Sequence, residues 1–429
     1  MALNAFLQRF FTLRPTQPFK PVAPGLYHYM RQVEGTYSRF HLRVEPDGSG
    51  MLLANASVAA RLSPTGIALA KGLLDGESEA GLTDRLVKGF QGASREAVQK
   101  DLYQVKTILA GLATPGDDYP ILNLDDAGVG PGPHELIAPI NADVPLAEPE
   151  RMARLIERLW QIGVPHITVL VPPEPDAAHL VRAVERAEDT GMIAGVRGRA
   201  SDLAAGTLLK DLAQAGVDHV NVIYASARAE IHDALCGTGD LAAAWGVMAE
   251  AFALEVAPVA EVPLVESTLD ALDESLAALA EKDVANVAFY AIAAPGAMPD
   301  AERAGALAAQ ALPQVAALVE QRAQRRYLWL PPVQRNPAVP LAEQVRRGAR
   351  CPGGDLSMRV EPDGAVIPPR GPYRPAGNLL TDAWDAIWQN PAFRDYRQRV
   401  EAPTRCEVCP GLAICAADCP REPRGWSQD

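Results

Sequence analysis

Between residues 135 and 326, short apolar stretches alternate with helical patterns six times in one direction. The strand candidates are ELIAPIN, HITVLV, MIAGVRG, HVNVIYA, VAPVAEVPLV and VANVAFYAI. Between them run segments such as PERMARLIERLWQIG and LLKDLAQAG, each closing near a glycine. Strands repeated in this way, with helices between them, pair in parallel through right-handed crossovers. Their continuous apolar character predicts a sheet buried on both faces. Six units predict an α/β fold built as an open, partial (β/α)6 barrel, because a closed eight-unit barrel needs about 250 residues. A doubly wound open sheet is the alternative.

Other segments flank this one. Residues 1–115 contain FHLRVEPDGSGMLLANAS, two alternating runs around Pro46-Asp47-Gly48, which predicts a β-hairpin over 41–45 and 51–54. Ser63 and Pro64 then open a helix that Gly76 closes. Two more helical patterns follow; Leu82, Leu86 and Phe90 share one face, and Val98, Leu102, Val105 and Leu109 another. A hairpin with three helices is the shape of a winged helix. Residues 116–134, rich in Gly, Pro and Asp, read as a linker, and so does the proline-rich stretch 327–344. Residues 345–429 hold five of the six cysteines and a second hairpin, LSMRVEPDGAVIPP. The pentapeptide VEPDG thus occurs at 44–48 and 360–364, which shared turn chemistry explains.

The formal charge of −13 argues against nucleic acid or an acidic membrane surface as the main partner. No run of eighteen apolar residues offers a membrane span. The first residues, MALNAFLQRFFTLRPTQPFKP, lack the charged start and small-residue cleavage site of a secretion signal. They read as an amphipathic turn lying on a neighbouring domain, which leaves the cytoplasm as the expected location. In that compartment clustered cysteines read as metal ligands rather than disulfides. The cluster is CEVCPGLAICAADC, with Cys406, Cys409, Cys415 and Cys419 in C-x2-C-x5-C-x3-C spacing. Such spacing puts two thiolates on one turn and two more within reach. With no histidine beyond His232, the site is all sulfur, suited to Zn²⁺ or to an iron–sulfur cluster. Cys236, alone on an apolar helix end, reads as a core residue.

Cys351, the hairpin VEPDGAVIP, the run GNLLTDAWDAIWQNPAFRDYRQ and the final cysteines together resemble the SPASM domain that follows the barrel of many radical SAM enzymes. The resemblance implies auxiliary [4Fe–4S] ligation. It departs at Pro369, where that family has a cysteine, and beyond Cys419, where no cysteine follows. Five cysteines suffice for one cluster, held by Cys406, Cys409 and Cys415 with either Cys419 or Cys351.

The middle segment is similar to the radical SAM core in the order of ITVLVPPEPDAAHLVRAVERAEDTG, VNVIYASARAEIHDALCGTGDLAAAWGVM and VPLVESTLDALDESLAAL. That family binds its S-adenosylmethionine-cleaving cluster through a C-x3-C-x2-C loop after the first strand. The corresponding stretch here, INADVPLAEPE at 140–150, has no cysteine, and its Asp143 and Glu148 are hard oxygen donors. The family's GGEP turn reads Pro172-Pro173-Glu174-Pro175, which removes backbone donors. The resemblance therefore implies a barrel unable to cleave S-adenosylmethionine. Residual nucleotide binding would fall to Glu174, Asn221, Ser226 and Glu266 near predicted strand ends; solvated or capping roles are the other reading of each. The first segment resembles the peptide-recognition winged helix of the pyrroloquinoline-quinone pathway, on ASVAARLSPTGIALAKGLLDG and REAVQKDLYQVKTIL. This implies a hairpin edge that accepts a strand from a leader peptide. Together these features predict a degenerate radical SAM/SPASM-like scaffold or adaptor of peptide or cofactor maturation. A partner maturation enzyme is the expected associate. One reading against the scaffold is an active enzyme that borrows the missing ligands from a partner chain or uses the C-terminal cluster for electron transfer. The other is a structural zinc protein.

Overall fold

The computed structural model describes residues 21–33, 36–56, 58–89, 92–113, 136–291, 307, 311–323, 327–330, 340–343, 356–368, 375–391 and 393. They fall into two compact units, the first ending at Ile137 with Gln161–Gly163 added, the second holding the remainder.

The first unit is an antiparallel meander of four strands, β1 (Gly25–Val33), β2 (Thr36–Val44), β3 (Gly50–Ala54) and β4 (Val58–Leu62), paired in that order. Three helices follow: α1 (Pro64–Leu74), α2 (Glu79–Gly89) and α3 (Arg95–Ala113). The expected hairpin is β2–β3, and the sheet adds a strand on each side of it. Ser63 caps α1 as its sequence suggested, its side chain accepting the N–H of Gly66. Period-two alternation sends Phe40, Leu42 and Val44 of β2 toward the helices, where they meet Ile67, Leu82 and Leu102 in one core.

The second unit is built on one ten-stranded sheet. Seven parallel strands follow chain order: β5 (Asn141–Pro145), β6 (His166–Leu170), β7 (Ile193–Gly198), β8 (His219–Ile223), β9 (Ala257–Leu264), β10 (Asn286–Ala291) and β11 (Tyr327–Leu330). Strand order never reverses, so the doubly wound alternative does not hold. Right-handed crossovers that always step the same way place their helices on one face. The longer ones are α4 (Pro149–Ile162), α5 (Ala177–Thr190), α7 (Leu208–Gln214), α9 (Asp240–Ala253), α11 (Leu272–Glu281) and α12 (Leu312–Arg322). Shorter ones lie at the strand ends: α6 (Ala200–Leu203), α8 (Ala229–Cys236) and α10 (Glu266–Asp270). On the outer edge of β5, β12 (Ser357–Val360) adds in parallel, then β13 (Ala365–Ile367) and β14 (Gly377–Asn378) antiparallel. A last short helix, α13, spans Trp384–Trp388. No helix among the described residues is long and apolar enough to cross a membrane.

Three expectations need correction. The first parallel strand is NADVP, not ELIAPIN, so much of the stretch read as a loop at 140–150 is strand. Residues 327–330, read as linker, form a seventh parallel strand beside β10. The strands are not apolar throughout. Ala142, Val144, Ile167, Val169, Val196, Val220, Val222, Val262 and Phe289 form an apolar face. The alternate positions carry Asn141, Asp143, His166, Thr168, Arg197, His219, Asn221, Glu261 and Tyr290, which the register brings onto the opposite face. With the helices on one face, the other has no apolar partner layer, and the polar alternation follows from that.

The two VEPDG turns are built alike. Glu45 N–H donates to Ser49 O and Gly48 N–H to Glu45 O; Glu361 N–H donates to Ala365 O and Gly364 N–H to Glu361 O. In each, the aspartate accepts the N–H two residues on, Asp47 from Ser49 and Asp363 from Ala365. Each glycine has positive φ, +81° at Gly48 and +93° at Gly364, as the turn requires.

Candidate functional site

The polar face of the second unit holds a continuous hydrogen-bonded chain. Asn221 Nδ2 donates to Glu261 Oε1 at 2.6 Å, so its Oδ1 faces His219 Nδ1 at 2.7 Å. An amide oxygen only accepts, so His219 carries its proton on Nδ1. Its Nε2, 2.6 Å from His166 Nε2, then accepts the His166 proton. Burial holds His219 down to about 4, in keeping with a neutral ring. The ring packs over Gly195, where a Cβ would sit 1.8 Å from its Cε1. The other Glu261 oxygen pairs with Arg197 Nε at 2.6 Å, and Arg197 stacks on the Tyr290 ring at 5.2 Å. Burial works against the charge of Arg197, but Glu261, Tyr290 and Asp143 outweigh it and raise its pKa.

Asp143 lies on the same face, its Oδ1 accepting from Asn141 Nδ2 at 2.7 Å. Burial pushes its carboxyl above the ordinary carboxylate range, against the charges of Arg197 and Arg359. The chain runs from the first residues of β6 and β8 toward the C-terminal ends of β7, β9 and β10. Its lower members, His166, His219, Asn221 and Glu261, are buried. At the upper end of the same face, Pro145, Leu170, Arg197, Ile223 and Tyr290 stay partly open. The face therefore opens at the C-terminal strand ends, where parallel α/β sheets place their ligands.

Around that rim the loops are tied to one another. The turn Pro172–Pro175 offers a single backbone N–H, that of Glu174 at φ +50°, and Asp202 Oδ1 takes it at 3.0 Å. Asp202 also holds Arg199 Nε at 2.8 Å. Ser201 N–H donates to Asp240 Oδ1 at 2.7 Å, and Asp240 Oδ2 meets His232 Nε2 at 3.0 Å. His232, Cys236 and Asp240 bring three metal-type ligand atoms within 4.8 Å. They do not fit a metal: the N–H of Ala225 donates to His232 Nδ1, so Nε2 carries the proton that Asp240 accepts. Burial, and next Asp240, push the Cys236 thiol up to about 12. Cys236 is 2 % exposed among Ala225, Leu235 and Val265, a core residue as its sequence suggested.

Of the four candidate nucleotide contacts, Asn221 lies on β8, Glu174 and Ser226 in the loops after β6 and β8, and Glu266 at the start of α10. Asn221 belongs to the polar face. Ser226 is fully buried in the loop after β8, where it accepts the N–H of Arg228 and the hydroxyl proton of Ser275. Glu174 and Glu266 are exposed. Reading the residues one by one missed Arg197, Glu261, His166, His219 and Tyr290. The available signal was the alternation inside H-I-T, G-V-R, H-V-N-V and A-E-V-P. Glu148, weighed as a loop ligand, caps α4 by accepting the N–H groups of Glu150 and Arg151. Between β5 and α4 only Leu146, Ala147 and Glu148 remain.

Cys351, Cys406, Cys409, Cys415 and Cys419 lie outside the described residues, as do the linker 116–134 and the first twenty residues. The hairpin ahead of the cysteine cluster is described, and its family-like residues interlock. Asn378 donates from Nδ2 to Asp363 O, accepts the Leu380 N–H and sends its own N–H to Asp382. Trp388 stacks on Trp384 and meets Phe393 at a tilt. An all-sulfur donor set fits an iron–sulfur cluster better than a hard cation.

Residues 351–410 match the SPASM family, an iron-sulfur cluster-binding domain. No curated protein matches the sequence. Among solved structures the chain is similar to Streptococcus suis SuiB bound to S-adenosylmethionine, at 13 % identity over 92 % of this chain and 95 % of that one, with a TM-score of 0.49. It is similar to SuiB bound to the precursor peptide SuiA, at 11 % identity over 92 % and 95 %, TM-score 0.49. It is also similar to anSMEcpe with bound AdoMet and Cp18Cys peptide, at 11 % identity over 68 % and 92 %, TM-score 0.46. The C-terminal segment thus carries the signature of an iron–sulfur SPASM domain, with Cys351, Cys406 and Cys409 inside the matched residues.

Proposed function

We propose that this chain is a catalytically degenerate relative of the radical SAM/SPASM enzymes, acting in peptide or cofactor maturation as a scaffold or adaptor. It holds one [4Fe–4S] cluster through Cys406, Cys409 and Cys415, completed by Cys419 or Cys351. Such a cluster supplies electron transfer and fold stability. The second unit is read as an open, barrel-like sheet. The first unit is the winged-helix-like part; both strands of its hairpin are already paired, so the edge it offers to a leader peptide is that of β1 or β4.

The observation that carries this reading is the connection from β5 to α4. Leu146, Ala147 and Glu148 are too few for a C-x3-C-x2-C triad, and none is a cysteine. Asp143 is occupied on the strand and Glu148 in a helix cap. The turn that should present backbone donors has its single N–H committed to Asp202.

The test is anaerobic reconstitution of the full chain with iron and sulfide. The expected product is brown, with about four iron atoms per chain, and yields no 5′-deoxyadenosine from S-adenosylmethionine under strong reductant. The Cys406→Ala, Cys409→Ala double variant loses that iron, and Cys236→Ala keeps it. Turnover by the unmodified chain in proportion to its cluster content would sink the degenerate reading. Zinc without iron in the purified protein would sink the cofactor assignment.

A further inference from the structure

Stability alone does not explain the polar face. A buried ion pair seldom improves on well-packed apolar residues, because desolvation offsets most of its attraction. Here Glu261, 1 % exposed, is held by Asn221, Asn221 by His219 and His219 by His166, while Gly195 gives up its side chain to seat the imidazole. The chain ends on one cationic group that keeps a quarter of its side-chain surface open, Arg197. We infer that the C-terminal end of this face is a recognition site for a small carboxylate with an apolar body, received by Arg197.

The chemistry narrows the ligand class. A guanidinium has five N–H donors in a planar fork. Among the described residues, Glu261 Oε2 lies 2.6 Å from Nε as an ion pair and the Tyr290 hydroxyl bonds another donor. The remaining donors suit the two oxygens of a carboxylate. Tyr290 stacked on the guanidinium and Glu261 at its Nε fix its plane before any ligand arrives. Pro145 and Leu170, in register with Arg197, and Ile223 in register with Glu261, give the rim an apolar lining. Charge balance sets the valence. Arg197 and Arg359 face Asp143, Glu261 and Glu361, so a dianion gains no net positive field there. With Asp143 neutral, as its burial favours, the two arginines balance Glu261 and Glu361, so a single carboxylate meets no net repulsion and is held by the guanidinium fork.

The test uses the full chain and three probes, 3-phenylpropionate, its neutral amide and phenyl phosphate, titrated by calorimetry. The carboxylate is expected to bind at least about tenfold tighter than the amide, a difference of about 1.4 kcal/mol, and tighter than the phosphate. Arg197→Gln removes that preference, and Arg197→Lys weakens it because a point charge lacks the fork. Arg197→Gln leaves Glu261 buried without its partner, so the Arg197→Gln, Glu261→Gln double variant, which keeps a neutral hydrogen bond, is run beside it with circular dichroism to confirm folding. Arg151→Gln, on the exposed side of α4, is the unchanged control. Equal binding of acid and amide, tighter phosphate, no binding, or a preference that survives in the folded double variant would each overturn the inference. None of these outcomes depends on whether the chain cleaves S-adenosylmethionine.

Discussion

Gly195 is a residue whose missing side chain fixes other side chains. It lies on the polar face between β6 and β8, and any Cβ there would stand 1.8 Å from the His219 ring. Gly195→Ala is expected to displace the imidazole, break its bonds to His166 and Asn221 and destabilise the second unit by about 1–3 kcal/mol. Gly246 on α9 meets nothing within 4 Å, so Gly246→Ala should be neutral or stabilising by up to about 1 kcal/mol. Urea denaturation of the two variants measures both, and equal effects would contradict the packing argument. Asp101 makes a different kind of residue-scale case. It lies on the core side of α3 beside Leu102, 6 % exposed, and burial holds its carboxyl up to about 6. A raised carboxyl favours the proton in the fold, so its contribution is complete below the ordinary value of 3.8 and is lost as pH rises to about 6. Asp101→Asn should therefore raise stability by about 1 kcal/mol at pH 8, allowing for solvent screening, and by nothing near pH 4. Thermal melts at the two pH values check this; a gain at low pH only would reverse it.

At the scale of elements, the two VEPDG turns separate local from tertiary demands. Both glycines need positive φ, which disfavours any side chain by about 1–2 kcal/mol. Gly48 has room, its nearest neighbour being Pro64 Cβ at 3.6 Å, whereas a Cβ on Gly364 would meet Asn378 Oδ1 at 2.6 Å and Leu380 Cγ at 3.0 Å. Gly364→Ala should lower the melting temperature clearly more than Gly48→Ala, and equal shifts would mean that turn geometry alone matters. Elements also mark where the sequence misled. ELIAPIN looked more strand-like than NADVP, yet NADVP forms β5 because its Ala142 and Val144 meet the helix side while Asn141 and Asp143 join the polar face. The four residues YLWL pair with β10 as β11 although prolines follow directly. Strands this short carry too few alternations to announce themselves.

At the scale of the molecule, a parallel sheet whose helices all step the same way leaves one face without helix cover. That face must be filled by polar side chains that satisfy one another or be left to a ligand, and here it is filled below and open above. The sequence by itself determined the α/β class, the helix caps, both hairpin turns and the cysteine spacing, because each depends on residues within a few positions of one another. It also shows that residues 140–150 contain no cysteine. Only the tertiary structure showed that Asn221 donates to Glu261, and that Asp143 and Glu148 are already engaged. It alone brought His166, Gly195, Arg197, His219, Glu261 and Tyr290 from five strands into one network. Local propensity acts over a turn or a pleat, whereas this network depends on the register between strands, which no single stretch of the chain contains.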